Sequence, residues 1–86
     1  MRLDQFLKLS RIIKQRSVAK SACESGRVEI SGRNAKAGTE VRPGDEITVD
    51  FRDGLLMVRV REIPSGKVSK SAAPDLYEVL EDRRAG

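Results

Sequence analysis

The sequence has no histidine, no tryptophan and one cysteine (Cys23), and its aromatic side chains stop at Phe6, Phe51 and Tyr77 among 86 residues. Without histidine and with a single thiol there is no Cys/His zinc cluster, no Cys–His or Ser–His couple and no disulfide within the chain. A lone cysteine suits a reducing compartment, so a cytoplasmic location is expected. Long apolar runs are missing as well. No stretch approaches the roughly 18 residues of a membrane span, and the opening MRLDQFLKLSR carries Asp4 and no small-residue cleavage site. The chain therefore reads as mature as written, with no membrane partner. The scarcity of aromatics, with no paired-aromatic strand motif, argues against a stacking platform for single strands.

What the chain has instead is charge. Lysine and arginine number 17 against 13 acidic residues, for a net charge of +4 and a sequence pI near 9.6, and 38% of the residues are hydrophobic. That allows one small domain with a compact core under a heavily charged surface. The charge is uneven: ten basic residues against four acidic from Met1 to Arg42, then seven against nine from Pro43 to Gly86. So basic a half points to a polyanionic partner, nucleic acid first, rather than to a merely solvated surface.

Leu3, Phe6, Leu7 and Ile13 recur at helical spacing, with Ser10 in the gap, and predict a helix from residue 3 to about 13. Lys8, Arg11 and Lys14 share its opposite face. A second helix is expected to open with Ser17 as its N-cap and to stop at Gly26, with Val18, Ala19, Ala22 and Cys23 as a small-residue inner face. Short strands follow. Val28 and Ile30 alternate with polar neighbours before a Ser31-Gly32 turn, and Pro43-Gly44 marks a type II turn. Ile47, Val49 and Phe51 form a strand, Asp53-Gly54 a hairpin turn, and Leu55 to Ile63 the returning strand. The expected fold is α+β, two N-terminal helices packed on a small, mostly antiparallel sheet. This domain spans 1–63, followed by a flexible linker at 64–75 and a short C-terminal element at 76–86. Within that element Leu76 to Leu80 reads as a strand or a helical turn, and Glu81 to Gly86 as a frayed end.

Catalytic chemistry finds no footing. Asp45, Glu46, Asp50 and Asp53 read as a solvated strand edge with no base of another type beside them. Gly66-Lys67 is no phosphate loop, since Val68 follows the lysine and Arg61 stands where the leading glycine belongs. Cys23 faces inward on a helix, as structural thiols do. No enzyme, metal or cofactor is expected. What remains is a basic constellation, Arg2, Lys8, Arg11, Lys14, Arg16, Lys20 and Arg27, converging on a helix-loop-helix end. It suits phosphates and folded RNA shape. Helix-turn-helix DNA binding stays open, although a second helix lined by Ala, Ser and Cys has few side chains able to read base edges.

Arg2-Leu3-Asp4-Gln5-Phe6-Leu7, then Arg11, Lys14-Gln15-Arg16-Ser17 and Ala19, then Ser25-Gly26-Arg27-Val28, Gly32, Lys36 and Val41 to Ile47 resemble the S-four RNA-binding domain, the alpha-L motif. The resemblance covers roughly residues 1 to 50, with Ser31 where asparagine is commoner. In its short stand-alone form the chain closely resembles the RqcP family of bacterial ribosome-associated quality-control factors. That resemblance implies binding to a large ribosomal subunit blocked by peptidyl-tRNA, through ribosomal RNA and tRNA together, as a monomer supporting RqcH in alanine tailing. It marks Arg2 and Arg16 as the foremost RNA contacts, adds Lys36 to the basic set, and makes Asp4 a positioning or partner-contact residue. Read plainly, Asp4 is an i,i+4 partner of Lys8. Alternatives are a heat-shock-type protein of the same domain family acting on stalled large subunits, a generic structured-RNA binder, and a regulatory module docking on protein through Leu76 to Leu80. A pseudouridine synthase fails on length.

Overall fold

A computed structural model describes residues 1–84, so the last two residues of the expected frayed end, Ala85 and Gly86, lie outside the described residues. Leu3, Phe6 and Leu7 are fully buried along one face of α1 (Leu3–Leu9), as their spacing requires. The helix is shorter than predicted. Ser10 closes it, its buried hydroxyl donating to the Leu7 carbonyl, and Arg11 then turns into the left-handed region at φ 63. That turn brings Ile13 back to the core outside any helix, with its amide bonded to Leu7 O. Periodicity saw the buried side chain but not the reversal.

Helix α2 (Arg16–Glu24) starts two residues earlier than predicted. Gln15, in extended conformation, is its N-cap without a side-chain bond, and Ser17 lies inside the first turn. Its end is as expected. Gly26 N–H bonds to Cys23 O and Arg27 N–H to Ala22 O, the paired bonds of a Schellman motif. Ala19 and Cys23 are buried, Ala22 is half-buried, and Val18, expected inward, is 51% exposed.

The sheet has five strands in the order β2-β1-β3-β4-β5, each pair antiparallel: β1 (Val28–Ile30), β2 (Arg33–Asn34), β3 (Glu46–Phe51), β4 (Gly54–Val60) and β5 (Tyr77–Asp82). Strict alternation turns Val28, Ile47, Val49, Leu56, Val58 and Val60 toward the helices, where they complete one core with Leu3, Phe6 and Leu7. Ser31 and Gly32 both take positive φ, 51 and 82, the pairing that a tight β1–β2 turn demands.

The C-terminal third is more ordered than its composition suggests. Within 64–75 the Ser69 hydroxyl accepts from Ala72 N–H, and a 3-10 turn (Ala73–Leu76) buries Ala73 and Leu76. The Leu76 carbonyl accepts from Arg61 N–H, and β5 continues through Glu81 and Asp82, so these residues of the charged end pair with β4. The tail stays attached beyond the strand, where Arg83 N–H donates to Leu55 O and the Arg84 guanidinium lies 5.4 Å from the Phe51 ring centroid. This close passage explains Gly54. At φ 147 its backbone suits glycine, and a Cβ there would collide with the Arg83 carbonyl.

Phe6→Ala is expected to lower unfolding free energy by about 2–5 kcal/mol through the cavity it leaves, a large share of a small domain's stability. In urea melts Gly54→Ala should also destabilise. Gly66→Ala, at a position with open space around it, should not shift the midpoint.

Candidate nucleic-acid interface

The first turn of α1 carries backbone donors with no partner inside the helix. Loop 35–41 meets them: Leu3 N–H bonds to Thr39 O and Asp4 N–H to Ala37 O, while Val41 N–H returns to Met1 O. Buried Ala35, Ala37 and Val41 anchor this loop, and Lys36 stands exposed between the two alanines. Arg2 lies over the same loop, so that a Cβ on Gly38 would sit 3.9 Å from its Cζ.

Asp4 is the pivot. Its side chain is 2% exposed, and it accepts from Arg2 Nε at 3.2 Å, Arg16 Nε at 3.4 Å and the Gln5 backbone N–H at 2.8 Å. Lys8 is not its partner, and at that burial Asp4 offers no surface to a binding partner; it positions the two arginines. Burial alone would push its carboxyl pKa up, but the Arg2 hydrogen bond, the Arg16 and Arg2 charges and the Gln5 amide outweigh that and hold it below the usual carboxylate range. Arg2 precedes α1 and Arg16 opens α2, so one carboxylate ties both helix starts together. Arg16 also occupies the positive end of the α2 dipole, where a cation is disfavoured unless an anion lies beside it.

The arginines remain 51% and 53% exposed. Each guanidinium carries five N–H donors. Arg2 commits Nε and one terminal nitrogen to Asp4, and Arg16 commits Nε, so most donors stay available. Two fixed guanidiniums sharing one negative charge form a fork suited to phosphate oxygens.

The structure brings Arg2, Arg16 and the Lys36 loop into one neighbourhood. Lys8, Arg11 and Lys14 are exposed along α1 and the turn after it, and Lys20 is exposed on α2. Arg27 stands apart, past the far end of α2. There it shares a concavity with Arg52, a residue that sequence reasoning passed over because its half of the chain is net acidic. The signal available was the β3–β4 hairpin itself, whose Phe51 to Gly54 pairing leaves Arg52 and Asp53 as the loop. Cys23 is buried, and desolvation, together with the Asp4 and Glu24 charges, pushes its thiol up to about 11. Among the described residues no group of three or more His, Cys, Asp or Glu could hold a metal ion, and no helix is long and apolar enough to cross a membrane.

Because the Asp4 carboxyl is held low, its contribution to stability is present above the unfolded value near 3.8 and is lost as pH falls through the folded one. Asp4→Asn should cost about 1.5–3 kcal/mol at pH 7, the range for hydrogen bonds to charged groups. It should also flatten the loss of stability below about pH 4, compared with the parent chain in denaturant melts at several pH values. Asp82, held to about 2 by Arg84, supplies an acid response that the variant keeps.

The S4 domain family matches residues 1–47. The RQC P-site tRNA stabilizing factor of Bacillus subtilis (strain 168) is 44% identical over 86 residues, spanning 100% of this chain and 99% of the relative. Its counterpart in Halalkalibacterium halodurans is 46% identical over 82 residues, covering 95% and 92%. Among solved structures, the trimeric structure of Vibrio cholerae Heat Shock Protein 15 superposes with a TM-score of 0.83 at 30% identity, over 92% of this chain and 80% of that one. Buried Asp4 with its two arginines lies inside the matched segment, and the likeness runs on through the sheet to β5: the chain belongs to the S4 domain family, among the RQC P-site tRNA stabilizing factors.

Proposed function

We propose that the chain is a non-catalytic, cytoplasmic RNA-binding factor of ribosome-associated quality control. It holds P-site tRNA against the ribosomal RNA of a stalled large subunit and so sustains RqcH-dependent alanine tailing. The observation that carries the RNA-binding reading is the Arg2–Asp4–Arg16 cluster, with two half-exposed guanidiniums oriented by one buried carboxylate. The names of the relatives supply the P-site tRNA. A monomer of this size neutralises only a handful of phosphates, so a single RNA would give modest, salt-sensitive affinity. Touching ribosomal RNA and tRNA at once makes the second contact intramolecular, which adds roughly 10²–10⁴ in avidity. The likeness to Heat Shock Protein 15 favours a second reading, a heat-shock-type role on the same stalled subunits.

Co-sedimentation with large subunits bearing P-site tRNA should exceed that with tRNA-free subunits, and equal binding would leave only a generic structured-RNA binder. With about six phosphates neutralised, log K should fall against log salt with a slope of about −4 to −5, and Arg16→Ala should make it shallower by roughly one. A flat salt dependence would remove the electrostatic basis. In a reconstituted reaction of RqcH with tRNA-bearing subunits, adding the protein should lengthen the alanine tails, and Arg2→Ala should lose this effect at temperatures where it is still folded, its melting temperature being lowered because Asp4 loses one of its two cations.

A further inference from the structure

Past the C-terminal end of α2 the surface folds inward against the β3–β4 hairpin. The Asp50 amide bonds to the Arg27 carbonyl at 2.8 Å, which seats Arg27 beside the last residues of β3, and Arg52 follows in the hairpin loop. Two adjoining concavities meet here and share Val18, Ala22, Arg27 and Arg52. One is edged by the hydroxyls of Ser17, Ser21 and Ser25, which recur every four residues along α2. The other is floored by Ile13, Val49 and Phe51.

Three features mark this groove. Among the described residues neither Arg27 nor Arg52 forms an ion pair, as is also true of Arg11, Arg33 and Arg61, whereas Arg42, Arg59, Arg83 and Arg84 each meet a carboxylate. Val18 is 51% exposed at the centre of a groove whose floor is otherwise packed. And Asp50 is the one acidic residue in its lining, against two arginines. Cationic rims over a small apolar floor match a nucleotide strand, phosphates at the rim and a ribose or base face below. At 1.5 Å per residue the nine-residue helix separates Arg16 from Arg27, which lies past its other end, by on the order of 14 Å along the axis, too far for both to serve one phosphate, while Ser17 and Val18 carry the groove back toward Arg16.

We propose that the groove between α2 and the β3–β4 hairpin is a second RNA-backbone site, in which Arg27 and Arg52 take phosphates and Val18 and Phe51 support the sugar or base between them. The proposal rests on the RNA-binding reading above and gives it a second end. One RNA segment is gripped at the Arg2–Arg16 fork, another at the Arg27–Arg52 groove, with α2 as the spacer.

Binding of the full chain is measured against three probes: large subunits with P-site tRNA, large subunits without it, and free tRNA, each over a salt series. Arg52→Ala, at an exposed loop position, should weaken binding about five- to tenfold at 0.1 M salt and make the slope shallower by roughly 0.7–0.9, the value of one neutralised phosphate. Ser21→Glu, which sets an anion in the groove without touching either arginine, should weaken binding comparably with the melting temperature unchanged. Losses confined to tRNA-bearing subunits and free tRNA assign the groove to tRNA, and losses on both kinds of subunit but not on free tRNA assign it to ribosomal RNA. If Arg52→Ala and Ser21→Glu bind all three probes like the parent while Arg16→Ala is impaired, the groove is not an RNA site and the function proposed above stands. If the parent itself shows no salt-dependent binding, both fall. Capture of a polyglutamate peptide that Arg52→Ala abolishes, with RNA binding intact, would overturn the proposal in favour of an acidic protein segment.

Discussion

A carboxylate buried on the inner face of a helix costs several kcal/mol unless it is paired and hydrogen-bonded. Asp4 satisfies that requirement with two guanidiniums drawn from separate helix starts and one backbone amide. The bargain is asymmetric. One negative charge answers two positive ones, so the cluster keeps an uncompensated positive charge at the surface while its inward side is neutral. Without the carboxylate the two arginines would repel each other and swing apart. With it they are held near one another at an entropic cost already met in folding, which is what preorganisation for an external anion means.

The same region shows why side chains rather than backbone must do the recognising. A helix N-terminus attracts phosphate through unpaired N–H groups, but the first-turn donors of α1 are bonded to Thr39 O, Ala37 O and the Asp4 carboxylate. Loop 35–41 therefore caps α1 and carries Lys36 to the edge of the Arg2 neighbourhood in one step. The polyanion-binding capacity of this face lies in its arginines and lysines, which makes it sensitive to salt and to single substitutions.

The residues that pack were legible in the sequence because burial leaves periodicity. Leu3, Phe6 and Leu7 marked α1, the alternation at Ile47, Val49 and Phe51 marked β3, and Ser25-Gly26 marked the end of α2. Helix ends were harder to read, since α1 stops at a left-handed arginine and α2 begins without a side-chain cap, and neither has a compositional signature. The tail misled for a different reason. Proline, serine and glycine describe a loop, but a single buried Leu76 and the Arg83 bond to Leu55 fix its path, and such contacts are non-local. For the site, the resemblance to the S-four domain picked out Arg2 and Arg16 as a pair, where charge and spacing alone gave a wider basic set. The i,i+4 rule pointed Asp4 at Lys8 within one helix, whereas its partners lie before that helix and at the start of the next.

Counting charges by half-chain also hides which cations are free. The acidic C-terminal half spends much of its charge on itself: Glu46 and Glu78 flank Arg59 across three strands, Glu81 takes Arg83 and Asp82 takes Arg84. Exposed pairs of this kind contribute little stability, commonly 0–1 kcal/mol each, but they remove those arginines from the pool able to meet a phosphate. Among the described residues Arg2 and Arg16 share one carboxylate, and Arg27 and Arg52 meet none, as is also true of Arg11, Arg33 and Arg61. Unevenly spread charge steers the approach of a polyanion, because the field acts before any contact forms. On a densely charged polyanion, such steering lets few contacts select one way of binding.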